Sequence, residues 1–214
     1  MLDIGFDKSF LDSGVRYLAG TDEAGRGPLA GPVVAAACIL KPGVVIDGLD
    51  DSKKLSEKKR EALIDTVKEN CLTYCVALAT PVEIDTLNIL NASLLAMRRA
   101  VEGLSVTPDL LLVDGNRDGG FGVPTKTVIK GDGKSQSIAA ASVLAKVTRD
   151  RLCESLDRLY PVYGFKKHKG YPTKEHKLAV FKYGPCPEHR TSFLSFLERD
   201  REKLTDLLSK ENDT

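Results

Sequence analysis

Residues 15–40 read VRYLAGTDEAGRGPLAGPVVAAACIL, and the architecture turns on this stretch. Two apolar runs, 15–21 and 33–40, flank a segment rich in glycine and proline. Runs of this length and composition read as strands, and the intervening Gly/Pro turn predicts a hairpin. The first strand runs into two adjacent acids, Asp22 and Glu23, followed at once by Gly25-Arg26-Gly27. Neighbouring residues on a regular strand point to opposite faces. Asp22 and Glu23 are therefore expected to share one site only if the strand ends or bulges there, which Gly25 and Gly27 would permit.

Outward from the hairpin, helix and strand signals alternate. Residues 56–70 have helical apolar spacing, 72–80 read as a third strand, and 81–103 as mostly helix, opened by Pro81 and closed by Gly103. DLLLVD (109–114) is a short buried strand, 126–130 another, and 134–160 a long helix with an Ala-rich first half. A loop at 161–171 precedes helices near 173–183 and 189–209. The order predicts an α/β fold, a mixed sheet flanked by helices, with a helical C-terminal portion. We expect one catalytic domain over 1–184 and a helical appendage over 185–214 packed on it, set off by Pro185 and Pro187.

The chain has 214 residues, 42% hydrophobic and 29% charged, which suits one sizeable core. Five cysteines without a CxxC pair or a secretory signal imply reduced thiols in a cytoplasmic protein and argue against structural zinc. The apolar run 33–40 is too short to cross a membrane, and no membrane association is expected. Net charge is only +1, but it is unevenly spread. Residues 1–124 carry 13 Lys and Arg against 18 Asp and Glu, whereas 126–182 carry 13 against 5. That basic half fits either a polyanionic partner or a solvated face.

Four acids fall at element ends: Asp22 and Glu23 after the first strand, Asp114 after DLLLVD, and Asp132 before the long helix. Strand ends are where α/β sheets build sites. Singly, each acid has an ordinary explanation: Asp132 as a helix cap using the Ser135 N–H, Asp114 as the start of a type I turn. Gathered together, four carboxylates would resist joint ionisation unless a hard divalent cation, Mg²⁺ or Mn²⁺, neutralised them. A pair of such ions roughly 4 Å apart suits phosphodiester hydrolysis. Other motifs fail. Gly133-Lys134-Ser135 lacks the upstream glycine of a P-loop, the glycine turn lacks the dinucleotide spacing, and His168, His176 and His189 have no nucleophile elbow beside them. A binding module without chemistry and a nucleotide-dependent small-molecule enzyme are the competing classes.

GTDEAGRGPLAGP (20–32) closely resembles the signature of the ribonuclease HII family. DSKKLS (51–56), LNIL (87–90), VDGN (113–116), KGD (130–132), SIAAASVLAKVTRD (137–150), HKGY (168–171) and GPCPEHR (184–190) resemble further family blocks, in the expected order. The resemblance implies an RNase H-like fold and a metal-dependent endonuclease. Its partners would be RNA–DNA hybrids and duplex DNA containing single ribonucleotides, cut on the 5′ side to leave 3′-hydroxyl and 5′-phosphate ends. By the same resemblance Asp22, Glu23, Asp114 and Asp132 are the catalytic, metal-holding acids. Gly25, Arg26 and Gly27 match the loop that reads the 2′-hydroxyl, Tyr171 packs on the next sugar, Lys53 and Lys54 lie in a block of which one or the other contacts phosphate, and Arg151 is a further candidate for that role. The related HIII type carries an extra N-terminal domain for which no room is expected here. No clamp-binding box is evident, and a monomer is expected.

Overall fold

The computed structural model describes residues 4–212 apart from 51 and 53. Its elements run α1 (Ile4–Leu11), β1 (Leu18–Ala24), β2 (Val33–Leu40), α2 (Glu57–Asn70), β3 (Cys71–Ala79), α3 (Pro81–Leu87), α4 (Ile89–Glu102), β4 (Leu110–Asp114) and β5 (Thr125–Val128). Then follow α5 (Gln136–Leu159), α6 (Phe165–His168), α7 (Lys174–Tyr183), α8 (Phe196–Arg199) and α9 (Arg201–Asn212). The described strands form one five-stranded sheet of order β3-β2-β1-β4-β5. The predicted hairpin forms β1 and β2, antiparallel; β1, β4 and β5 run parallel.

The sheet separates two apolar layers. Ala19, Ala35 and Ala37 face α4, whose Ala92, Ala96 and Ala100 are fully buried. Ala36 and Cys38 face α5 through Ala139, Ala140 and Val143, with Ile64 and Val67 of α2 alongside. Alanine on both sides brings backbones close. Gly20 is the extreme case: a Cβ there would stand 2.2 Å from the Ser137 carbonyl carbon, so α5 lies directly on β1. A third cluster unites Leu29 and Ala30 of the Gly/Pro turn with Tyr163, Phe165, Leu178, Phe196 and Leu204. The C-terminal helices thus close over the turn that joins the first two strands.

Local chemistry explains the boundaries. Ser56 caps α2 through the Lys59 N–H, Thr80 and Glu83 form a reciprocal capping box on α3, and Ser135 caps α5 through the Ile138 N–H. The helix expected over 81–103 is in fact two. Asn88 adopts φ 67 and its side chain accepts from the N–H groups of Leu90 and Asn91, ending α3 and starting α4. With ψ 164 this is a conformation L-residues rarely hold, and the two cap bonds from its side chain offset the strain, so one residue overrides a continuous helical period. The helix expected over 189–209 is interrupted likewise, leaving the short α8 before α9.

Candidate active site

Three parallel strands deliver three carboxylates to one edge of the sheet. Asp22 is the fifth of the seven residues of β1, Asp114 is the final residue of β4, and Asp132 sits in a 3₁₀ turn, Gly131–Gly133, just beyond β5. Each offers an oxygen, and the three oxygens lie within 4.8 Å of one another. The junction is tightly built. The Gly131 N–H donates to Asp114 Oδ1 at 2.6 Å, and a Cβ on Gly131 would stand 2.5 Å from Ile138 Cδ1. The Glu23 N–H donates to Asp22 Oδ1 at 2.7 Å.

Glu23 takes a different position. The strand neither ends nor bulges at the acid pair, contrary to the sequence expectation: Asp22 pairs with Ala36, Glu23 with Ala35 and Ala24 with Val34 in unbroken register. Asp22 therefore faces the α5 layer and Glu23 the α4 layer. There Glu23 lines a cleft of about 270 Å³ with Arg26, Met97, Asp114, Asn116 and Arg117, and Arg26 Nη1 lies 3.3 Å from its Oε1. Asp114, at the strand edge, borders both acids. Neither ordinary explanation for the other two acids survives. The Ser135 N–H goes to the Gly131 carbonyl, and Gly115, at φ 108, cannot occupy a type I turn.

The electrostatics follow from this placement. Burial, then Glu23 and Asp114, push the Asp22 carboxyl well above its ordinary range, while the Ser142 hydroxyl pulls the other way. Glu23 is raised by burial, opposed by Arg26 and reinforced by Asp114. Without a counter-charge the cluster resists full ionisation. An oxygen-only donor set of this kind suits a hard divalent ion.

Beside the acids, the Gly25–Pro32 turn is held from three directions. Buried Arg149 of α5 donates to the carbonyls of Pro32 (3.2 Å), Ala30 (3.2 Å) and Lys169 (3.0 Å). Buried Arg190 donates to Gly25 (2.7 Å), Arg26 (3.0 Å) and Gly31 (2.8 and 2.9 Å). The Leu29 N–H reaches the Gly170 carbonyl at 2.8 Å. Burial, then Arg149, lowers Arg190 to about 9. Tyr171, 44% exposed, sets its ring edge 3.4 Å from where a Cβ on Gly27 would stand. Lys54 Nζ lies 4.0 Å from the corresponding point on Gly133, next to Asp132, and 3.6 Å from Asp50. Lys53 lies outside the described residues. Arg151 sits nine residues beyond Ser142 on α5, about 13 Å of helix rise, and Glu61 of α2 holds it at 2.6 Å.

Arg149 and Arg190 were not singled out by sequence, because an arginine reads as a surface residue until the distant carbonyls it bonds are known. The three histidines, set aside as triad members, are buried beneath Tyr171. The one available signal was their confinement to residues 168–189.

Residues 19–196 match the family profile described as Ribonuclease HII. The chain belongs to the ribonuclease HII family. It is 57% identical over 175 residues to Ribonuclease HII 1 of Methylibium petroleiphilum, covering 82% of this chain and 88% of that one. To Ribonuclease HII of Caldicellulosiruptor saccharolyticus it is 51% identical over 193 residues, 90% and 94% of the two chains. The crystal structure of ribonuclease H2 from Pyrococcus horikoshii superposes with a TM-score of 0.72 at 30% identity, covering 88% of this chain and 99% of that one. Membership makes the protein an endonuclease of the ribonuclease H class, acting on RNA–DNA hybrids. No described helix is long and apolar enough to cross a membrane.

Proposed function

We propose that the protein is a divalent-metal-dependent endonuclease that cuts the RNA strand of RNA–DNA hybrids. On the same reading it incises 5′ of single ribonucleotides embedded in duplex DNA, leaving 3′-hydroxyl and 5′-phosphate ends. The observation that carries this reading is the gathering of Asp22, Asp114 and Asp132 within 4.8 Å at the ends of parallel elements, one strand-end from the glycine turn.

Asp22, Asp114 and Asp132 would hold Mg²⁺ or Mn²⁺, with Glu23 approaching from the α4 side. When bound, the ion supplies positive charge for the oxygens of the scissile phosphate and favours a hydroxide-like nucleophile. The protein's own groups select the sugar. Arg190 draws the carbonyls of Gly25 and Arg26 inward. In trans peptides, and all described ones are trans, the N–H lies opposite the carbonyl. The N–H groups of Arg26 and Gly27 therefore point away from Arg190, as donors toward a 2′-hydroxyl, the group that marks RNA against DNA. Gly27, without a Cβ, lets that sugar approach the backbone. The Tyr171 ring across the slot offers an apolar plate to the following deoxyribose. Lys54, beside Asp132, and the basic residues of 126–182 would meet phosphates.

The test is a duplex of DNA with one internal ribonucleotide, incubated with Mg²⁺, with Mn²⁺ and with chelator. One nick 5′ to the ribonucleotide in either metal, and none in chelator, is expected. Folded protein that leaves the strand intact in both metals refutes the reading.

A further inference from the structure

All three histidines of the chain are buried in one cluster under Tyr171. His168 and His176 stack with centroids 4.3 Å apart and planes at 16°, and Phe165 packs against all three rings. Burial on this scale leaves no room for an unsatisfied ring nitrogen. The backbone groups at the ends of the cluster dictate every proton.

A backbone N–H can only donate and a carbonyl can only accept. The Cys186 N–H donates to His189 Nδ1 at 3.0 Å, with the Cys186 thiol 3.2 Å from the same nitrogen. His189 must then carry its proton on Nε2. That nitrogen is 3.1 Å from His176 Nε2, which must accept, so the His176 proton lies on Nδ1. His176 Nδ1 donates to the Tyr171 carbonyl at 2.9 Å. Separately, the Gly170 N–H donates to His168 Nδ1 at 3.2 Å, and His168 Nε2–H donates to the Tyr163 carbonyl at 2.7 Å. Only one arrangement of neutral tautomers satisfies all five links. Burial agrees, lowering His176 and His189 to about 4 and His168 below its ordinary value.

We propose that His189 and His176 are positioning residues that set the Tyr171 plate against the glycine turn, and so determine discrimination between a single ribonucleotide and continuous RNA. The inference deepens the proposed function and rests on it. Among the described residues the hydrogen bonds of Tyr171 run through its backbone: its N–H donates to the His168 carbonyl at 2.9 Å, and its carbonyl accepts from the Thr173 N–H at 2.8 Å and from His176. Its ring is left for a ligand. His189 and Arg190 are consecutive, so one short segment governs both walls of the slot. His189 steers the tyrosine through His176, and Arg190 holds the carbonyls of Gly25 and Arg26. A shift at His176 moves one wall only. The acids, carried by β1, β4 and the 3₁₀ turn, stay in place.

His176→Phe keeps a stacked ring and removes both hydrogen bonds. His176→Gln restores a donor and an acceptor at similar separation. Both variants and wild type are compared for kcat and KM on a single-ribonucleotide duplex and on a long hybrid. His176→Phe should lower kcat/KM on the single-ribonucleotide duplex about tenfold, the effect of losing the one of its two hydrogen bonds that reaches Tyr171, while the hybrid changes less than about twofold. His176→Gln should recover most of that loss. Equal losses on both substrates, no loss on either, or identical behaviour of the two variants overturns the proposal. Wild type inactive on both substrates refutes the proposed function instead. If His176→Phe does not fold, ¹⁵N-resolved imidazole spectra of wild type decide. Nδ1–H on His176 and Nε2–H on His189 near neutral pH are expected, and the opposite tautomers or an imidazolium overturn the chain.

Discussion

Substituting Gly25 by alanine should cost far more stability than the same change at Gly115, although both residues have strongly positive φ. Gly25 sits at φ +98 and Gly115 at φ +108, so an alanine at either suffers a left-handed backbone strain of about 1–2 kcal/mol. Around Gly115 nothing lies within 4 Å of the new Cβ, and strain is the whole cost. At Gly25 the Cβ would stand 2.0 Å from Arg149 Nε and 2.4 Å from its Cδ. The guanidinium must leave, and it is buried and bonded to the carbonyls of Pro32, Ala30 and Lys169. Losing even two of these three charged hydrogen bonds costs about 3 kcal/mol or more. Gly25→Ala is therefore expected to lose about 4 kcal/mol or more in equilibrium urea unfolding, and Gly115→Ala about 1–2 kcal/mol. Replacing Arg149 by alanine first should shrink the Gly25→Ala cost to the strain alone, because the two changes act through one contact. Costs for the two glycines within about 1 kcal/mol of each other, or full additivity with Arg149→Ala, would refute the argument that Arg149 holds the turn.

Asp22→Asn should lower cleavage about a hundredfold or more, yet raise the melting temperature of metal-free protein by a few degrees. Burial and two neighbouring carboxylates already oppose the charge on Asp22; calorimetry in chelator checks this. His176 and His189 give acid lability of defined sign. Their folded values lie near 4 against 6.5 unfolded, so the stability they contribute is whole above about pH 6.5 and is lost as pH falls towards 4. At 1.36 kcal/mol per pH unit this is about 3 kcal/mol per ring, measured by urea unfolding from neutral pH down to about pH 4. Arg190→Lys, which cannot supply the four fixed bonds of the guanidinium, should cost about 2 kcal/mol or more in the same assay. Hybrid affinity should fall steeply with salt, measured by fluorescence anisotropy, because phosphate contacts release counterions.

The sheet was legible because its signal is local: apolar runs bounded by Gly, Pro and Asp appear as β2, β4 and the β1–β2 hairpin. Asp22, Asp114 and Asp132 stood out for the same reason, each lying near the carboxyl end of a strand or in the turn just beyond one. What escaped was decided by one residue overriding a period, or by partners far apart in sequence. Asn88 breaks a helix whose periodicity continues across it. Asp22 and Glu23 were expected to share one face only if the strand ended or bulged there, but Val34, Ala35 and Ala36 keep the pairing regular and Glu23 faces the other layer. Arg149 and Arg190 reach carbonyls more than a hundred residues away, and no spacing rule encodes that. The histidine chain is likewise invisible until α7 and the 186–190 segment meet.

The central claim is that Asp22, Asp114 and Asp132 together hold the divalent ion. Anomalous diffraction from Mn²⁺-soaked crystals measures it directly. A peak at about 2.0–2.3 Å from an oxygen of each of the three residues is predicted. Mn²⁺ density elsewhere, with none between these carboxylates, would contradict it.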